Sequence, residues 1–212
     1  MPPTTRIEYA RTGGNASLPP VLLWAGNAID KKHRPALNGT KRKFRIMSNP
    51  AEPFDLYAVD EYRVVGRATR GECHGHPALV HAVARVQVFD RQGRILLQLR
   101  SAAKDIQPDK WDTAVGGHLQ PGEEAEVAAR REMREELGVA PDHLDFLHRF
   151  LWRTPVESEW VTTYRTIHEG PFRPEPGEIA ELRFWTRAEI QAALGKGQLT
   201  PAFEDEFRRL PT

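Results

Sequence analysis

Three glutamates, Glu132, Glu135 and Glu136, lie within five residues of one another in a stretch that reads GHLQPGEEAEVAARREMREELGV from Gly117 to Val139. At helical spacing they share one side of a single turn, where like charges repel by about 0.2 to 0.5 kcal/mol per pair. Such a turn opposes its own folding unless a cation binds it. A hard divalent ion is the natural counterpart, because magnesium takes carboxylate, water and phosphate oxygens in an octahedron, and a substrate that completes that shell is phosphorylated. The competing reading is a solvated acidic face on an ordinary helix.

The flanking residues favour the chemical reading. Pro121 and Gly122 specify a turn, Glu123 stands where a helix N-terminal dipole favours an anion, and Gly138 follows Leu137 as a left-handed cap, so a helix is expected from Glu123 to Leu137. Gly116 and Gly117 end a strand-like stretch, where missing side chains let backbone approach a ligand or turn tightly.

Gly117, Glu123, Arg131, Glu132, Met133, Glu135, Glu136, Gly138 and Val139 fit every position of the Nudix box, G-x5-E-x7-R-E-U-x-E-E-x-G-U with U apolar. On those residues the chain resembles the Nudix hydrolases. A chance match has odds on the order of one in a million in a chain this long. The resemblance implies cleavage of a diphosphate linkage in a small molecule, typically a nucleoside diphosphate joined to another group, with Mg2+ or Mn2+ as cofactor. It makes Glu132, Glu135 and Glu136 the metal-binding and catalytic set, with Glu132 the candidate base, although some members draw the base from a later loop. A metal there would polarise phosphoryl oxygens and lower the pKa of a bound water. Glu123, Arg131 and Gly138 read as structural supports, the guanidinium offsetting the acidic cluster.

The stretch from His81 to Gly117 is similar to the Nudix branch that contains isopentenyl diphosphate isomerase. That isomerase holds a metal with three histidines and two glutamates, and the matching positions are His74, His81, His118, Glu157 and Glu159, with His76 a neighbour of unassigned place. Such a donor set suits manganese, zinc or iron better than magnesium. The alternative is a set of unrelated surface or core histidines and an acidic loop. Arg100 and Lys104 match basic residues that bind diphosphate in the isomerases, and with Gly116 and Gly117 they make the expected substrate-binding set. Two departures argue against isomerisation. The isomerase needs a cysteine at the place of Gly116 to move a proton at carbon, and Cys73 is far away in sequence; the isomerases also usually lack carboxylates at the Glu132 and Glu135 positions. Hydrolysis is therefore expected over isomerisation, with a non-catalytic metabolite sensor as the third possibility.

Composition sets the frame for these motifs. The 212 residues allow one substantial domain, one cysteine excludes an intramolecular disulfide and points to a reducing cytoplasm, and no apolar run approaches the roughly 20 residues of a membrane span. Residues 1–46 carry nine Lys or Arg against two acids, a net of +7 that leaves −6 for the rest of a chain whose total is +1. That segment lacks sustained periodicity and reads as a basic, disordered extension, with nucleic acid not expected as its partner. Residues 47–212 read as the catalytic domain.

Within it, strand-like runs are expected either side of Asp60 and Glu61, at Leu79 to Phe89, Ile95 to Leu99, Trp111 to Val115, Asp145 to Trp152, Trp160 to His168 and Ile179 to Trp185. Helices are expected at the box, Arg187 to Leu194 and Pro201 to Arg209. Strands on both sides of a helix predict an α/β fold, and the resemblance narrows this to a Nudix α/β/α sandwich with a mixed sheet. Trp111 and Trp160 are expected to pack rather than to stack on a ligand.

Overall fold

The structure, a computed structural model, describes residues 49–104 and 106–211. The basic extension of residues 1–46, and the boundary placed after it, lie outside the described residues. Among those described, no helix is long and apolar enough to cross a membrane.

The described part opens with a separate hairpin, β1 (Pro53–Tyr57) and β2 (Val64–Thr69), followed by the short helix α1 (Arg70–Cys73). Thr69 and Glu72 close a capping box on α1 that the sequence reading missed, as a four-residue helix carries no periodicity to detect. The main sheet follows: β3 (Val80–Phe89), β4 (Ile95–Arg100), β5 (Trp111–Thr113), β6 (Val115–His118), β7 (Asp145–Arg153), β8 (Ser158–Ile167) and β9 (Ile179–Trp185). The box helix α2 (Ala125–Leu137) lies between β6 and β7, and α3 (Arg187–Ala193) and α4 (Pro201–Arg209) close the chain.

β3 is the centre. It pairs in parallel with β8 along its whole length and antiparallel with β6, which sets Gly116 opposite Arg85 and Gly117 opposite Ala84. After the Asp90 to Gly93 turn β4 leaves β3, sharing one pair with it, and takes β5 and β9 as antiparallel neighbours. The sheet is therefore mixed, as expected. β3 is buried on both faces although its apolar residues mostly alternate: Val80, Ala82, Ala84, Val86 and Val88 make one face, and His81, Arg85 and Gln87 stand on the other.

Two cores account for the layers. Strand residues alternate between faces, so Leu96 joins the core under α2, with Ala128, Ala129, Met133 and Leu137, while Ile95 and Leu97 join Ile190, Phe203 and Phe207 of α3 and α4. Trp111 packs edge-on against Trp185 in the second core, and the Trp160 indole N–H donates to the Ala58 carbonyl at 2.8 Å beside the first. Both are packing residues.

The box helix starts later than its sequence suggested. Glu124 is its N-cap, and Glu123 lies outside the helix, where its carboxylate accepts from the Gln120 backbone and from Arg131. Side-chain partners, not the helix dipole, hold Glu123. At the other end Gly138 adopts φ 67°, and a Cβ there would press on Arg173 at 2.9 Å, so glycine is required twice over.

Candidate functional site

Glu132, Glu135 and Glu136 all line a cavity of about 620 Å3, on whose walls Arg100, Lys104, Gly116 and Gly117 also stand. The three carboxylates occupy different environments. Glu136 is buried at 8 % exposure, and the Gln98 side-chain amide donates to it at 3.1 Å. Burial, reinforced by the nearby Glu132 charge, pushes its carboxyl up to about 8. Glu132 is also largely buried, and burial raises its pKa against the opposing pull of Arg131. Glu135 sits at the rim with 59 % of its side chain exposed.

Arg131 organises this turn. Its guanidinium donates to Glu123 at 3.0 and 2.8 Å, to Glu132 at 2.6 Å, to Glu135 at 3.2 Å and to the His118 carbonyl at 3.0 Å. Gly117 makes room for the result, because a Cβ at that position would overlap the Glu132 carboxylate. Glu132 and Glu135 both turn to Arg131, so the three box carboxylates do not converge on one point as the histidine cluster does.

That cluster adjoins the box cavity, whose wall His74 and His118 share. His81 of β3, His118 at the end of β6 and His74 at the C-cap of α1 bring ligand atoms within 4.8 Å of one another, and His81 does the same with Glu157 and Glu159. The five residues named from sequence are thus neighbours, and His76 is exposed outside the group. Phe54 of the hairpin stacks on His118 and His81 at 4.5 and 5.2 Å between centroids, fixing both rings. Glu159 is no loop residue: it sits in β8 at 6 % exposure, 3.5 Å from both His81 and Arg85.

The cluster fits a cation. Buried ring nitrogens of His74, His81 and His118 have no hydrogen-bond partner, a costly state for polar atoms. Burial, then the Arg70 charge, takes His74 down to about 4, and burial takes His118 well below its ordinary value, leaving both as neutral donors. His81 differs: burial opposes its protonation, but Cys73 and Glu159 beside it prevail and raise it to about 9. A proton there fills the place that a metal would otherwise take.

Arg100 and Lys104 reach the box cavity but are not free. Arg100 donates to the Ile106 carbonyl at 3.1 and 2.9 Å and to Asp112 at 3.3 Å, and Lys104 pairs with Glu178. Burial lowers the Lys104 pKa.

A NUDIX domain matches residues 79–203. The chain belongs to the Nudix family. Among its relatives, an isopentenyl-diphosphate Delta-isomerase of Streptomyces avermitilis is 35 % identical over 147 residues, 66 % of this chain and 75 % of the relative. An uncharacterized Nudix hydrolase of Streptomyces coelicolor is 33 % identical over 168 residues, 78 % of this chain and 91 % of that protein. The crystal structure of DR0079 from Deinococcus radiodurans superposes with a TM-score of 0.65 at 28 % identity, covering 74 % of this chain and 98 % of that one. The chain is a Nudix hydrolase by fold and family.

Several residues of this Nudix site were not singled out from sequence. Asp55 of the hairpin accepts from the Gly122 backbone at 2.7 Å and so ties β1 to the box loop, while Glu175 and Glu178 bring later-loop carboxylates to the box cavity. Cys73, remote in sequence, is fully buried beside His81. Contacts of this kind join residues far apart in the chain, and no local pattern records them.

Proposed function

We propose that this chain hydrolyses a diphosphate linkage in a small molecule, with Mg2+ or Mn2+ held by Glu132, Glu135 and Glu136. The observation that carries the reading is the buried Glu136 and the largely buried Glu132 facing one cavity, with Glu136 pushed up to about 8. Two acids buried side by side resist ionisation, and a divalent cation removes that penalty. When bound, the ion supplies Lewis-acid polarisation of phosphoryl oxygens and a water of lowered pKa.

The chain's own groups do the rest. Glu132, whose pKa burial raises, takes the proton of the attacking water. Gly117 leaves space for that carboxylate and Arg131 fixes its direction. Lys104 and Arg100 place positive charge where the diphosphate enters, exchanging Glu178 and Asp112 for substrate oxygens. His74, His81, His118, Glu157 and Glu159 would hold a second ion, better suited to manganese, zinc or iron than to magnesium.

The test is a Mg2+- and Mn2+-dependent hydrolysis screen over nucleotide sugars, dinucleotides, coenzymes and isoprenoid diphosphates. Glu136→Gln should abolish turnover while circular dichroism shows the fold unchanged. Near-normal activity in that variant contradicts the proposed metal site.

One observation favours a second reading, an isoprenoid diphosphate isomerase: the convergence of the five His and Glu donors. Gly116 has no side chain to deliver a proton, so deuterium uptake into isopentenyl diphosphate is not expected.

A further inference from the structure

We propose that Arg85 is a specificity-determining residue, which receives an anionic oxygen group, a carboxylate or a phosphate, on the substrate arm that lies beyond the diphosphate. The inference rests on the hydrolase reading above. Arg85 lines a second cavity of about 360 Å3, which adjoins the box cavity along Gly116, Gly117 and His118. In the β3–β6 ladder Gly116 is the direct partner of Arg85, and a Cβ on Gly116 would have only the Arg85 Cγ within 4 Å, at 3.5 Å. The arginine therefore lies at the opening that the missing side chain leaves.

Its donors are only loosely engaged. A guanidinium carries five N–H groups in a fixed fork. Arg131 commits its own at 2.6 to 3.2 Å. Arg100 is committed to Ile106 and Asp112. Arg85 makes one contact at the outer limit of hydrogen bonding, 3.5 Å to Glu159, and stands 3.7 Å from Glu206. A structural ion pair closes to roughly 2.7 to 2.9 Å. Both acids also have other partners: Glu159 lies by His81 and His118, and Glu206 accepts from the hydroxyls of Thr113 at 2.7 Å and Thr163 at 2.6 Å. Arg85 is thus paired with two acids only at long range and can draw closer to a better-placed anion, with 13 % of its side chain exposed and its head 5.9 Å from the Trp152 ring.

A hydrocarbon arm in this cavity would cover those donors without pairing them, a state that costs more than it returns in apolar contact. An anionic group pairs them, and a site built to do so discriminates strongly against an analogue that lacks the group.

The test measures Mn2+-dependent hydrolysis of pairs matched except for one anionic group. UDP-glucuronic acid against UDP-glucose reads a carboxylate; coenzyme A against 3'-dephospho-coenzyme A, and NADPH against NADH, read a phosphate. In at least one pair the anionic member should have a kcat/KM higher by roughly ten- to a hundredfold, expressed mainly in KM. Arg85→Met should erase that preference and Arg85→Lys should keep part of it; if circular dichroism shows the methionine variant unfolded, Arg85→Gln replaces it. Equal rates within every pair, or a preference that survives loss of the guanidinium, overturn the assignment and leave the hydrolase reading intact. So does turnover of other diphosphates with none of these six. Failure across the whole diphosphate screen overturns the hydrolase reading and this inference with it.

Discussion

Two adjacent glycines should respond oppositely to the same substitution. At Gly117 an added Cβ overlaps the Glu132 carboxylate, whereas at Gly116 it meets only the Arg85 Cγ at 3.5 Å, ordinary van der Waals contact. Both residues lie in the extended backbone of β6, and neither has positive φ, so alanine meets no backbone strain at either. Gly117→Ala must displace Glu132 from its 2.6 Å bond with Arg131. Losing a charge-assisted hydrogen bond costs about 1.5 to 3 kcal/mol, and the reduced freedom of the unfolded chain returns about 0.4 to 1. The net loss is about 1 to 2 kcal/mol, a fall in Tm of roughly 2 to 8 °C for a domain of this size. Gly116→Ala lacks the first cost and should leave stability within about 1 kcal/mol of wild type, on the favourable side. Thermal and urea denaturation of the two variants, with Mn2+ affinity measured by electron paramagnetic resonance, makes the comparison. Gly117→Ala should also weaken metal binding, because Glu132 no longer faces the cavity. Equal destabilisation of both variants, or a harmless Gly117→Ala, would refute the steric argument.

Two further outcomes follow from the buried charges. In chelator, the unfolding free energy should fall between about pH 7 and 9: Glu136 keeps its proton up to about 8 in the folded protein against an ordinary 4.5, and His81 up to about 9 against 6.5, while His74 and His118, lowered by burial, are largely neutral in both states there, so the native state binds more protons than the unfolded chain. Denaturation between about pH 7 and 9, with and without Mn2+, checks the sign, and a stability that climbs through this range without metal would contradict it. Glu206→Ala should cost about 3 kcal/mol, since it leaves the Thr113 and Thr163 hydroxyls and Arg85 without their shared buried carboxylate, while Glu206→Gln should retain much of the difference. Urea denaturation of the pair decides this.

Elements set by neighbouring residues were legible in the sequence, and those set by distant partners were not. Local signals set β9 and α4 at their observed bounds: Thr186 caps the helix that follows Trp185, and Thr200 with Pro201 opens α4. The start of the box helix was placed two residues early, since Glu123 has the residue type of a first turn but is held by Arg131, eight positions on. α1 escaped notice for lack of length, yet it carries His74 into the cluster.

The sequence by itself determined the box: its spacing, its glycine cap and its acidic turn are set within one helix, where neighbours in space are neighbours at three and four residues. It also carried the donor types of the histidine cluster. Only the tertiary structure decided that those donors meet, that Arg131 binds Glu132 and Glu135 to itself, and that Arg85 faces a second cavity while holding Glu159 and Glu206 only at long range. The reason is physical: strand pairing joins residues dozens of positions apart, as Arg85 to Gly116 and His81 to Glu159, and the burial that shifts their charges exists only once the sheet has formed.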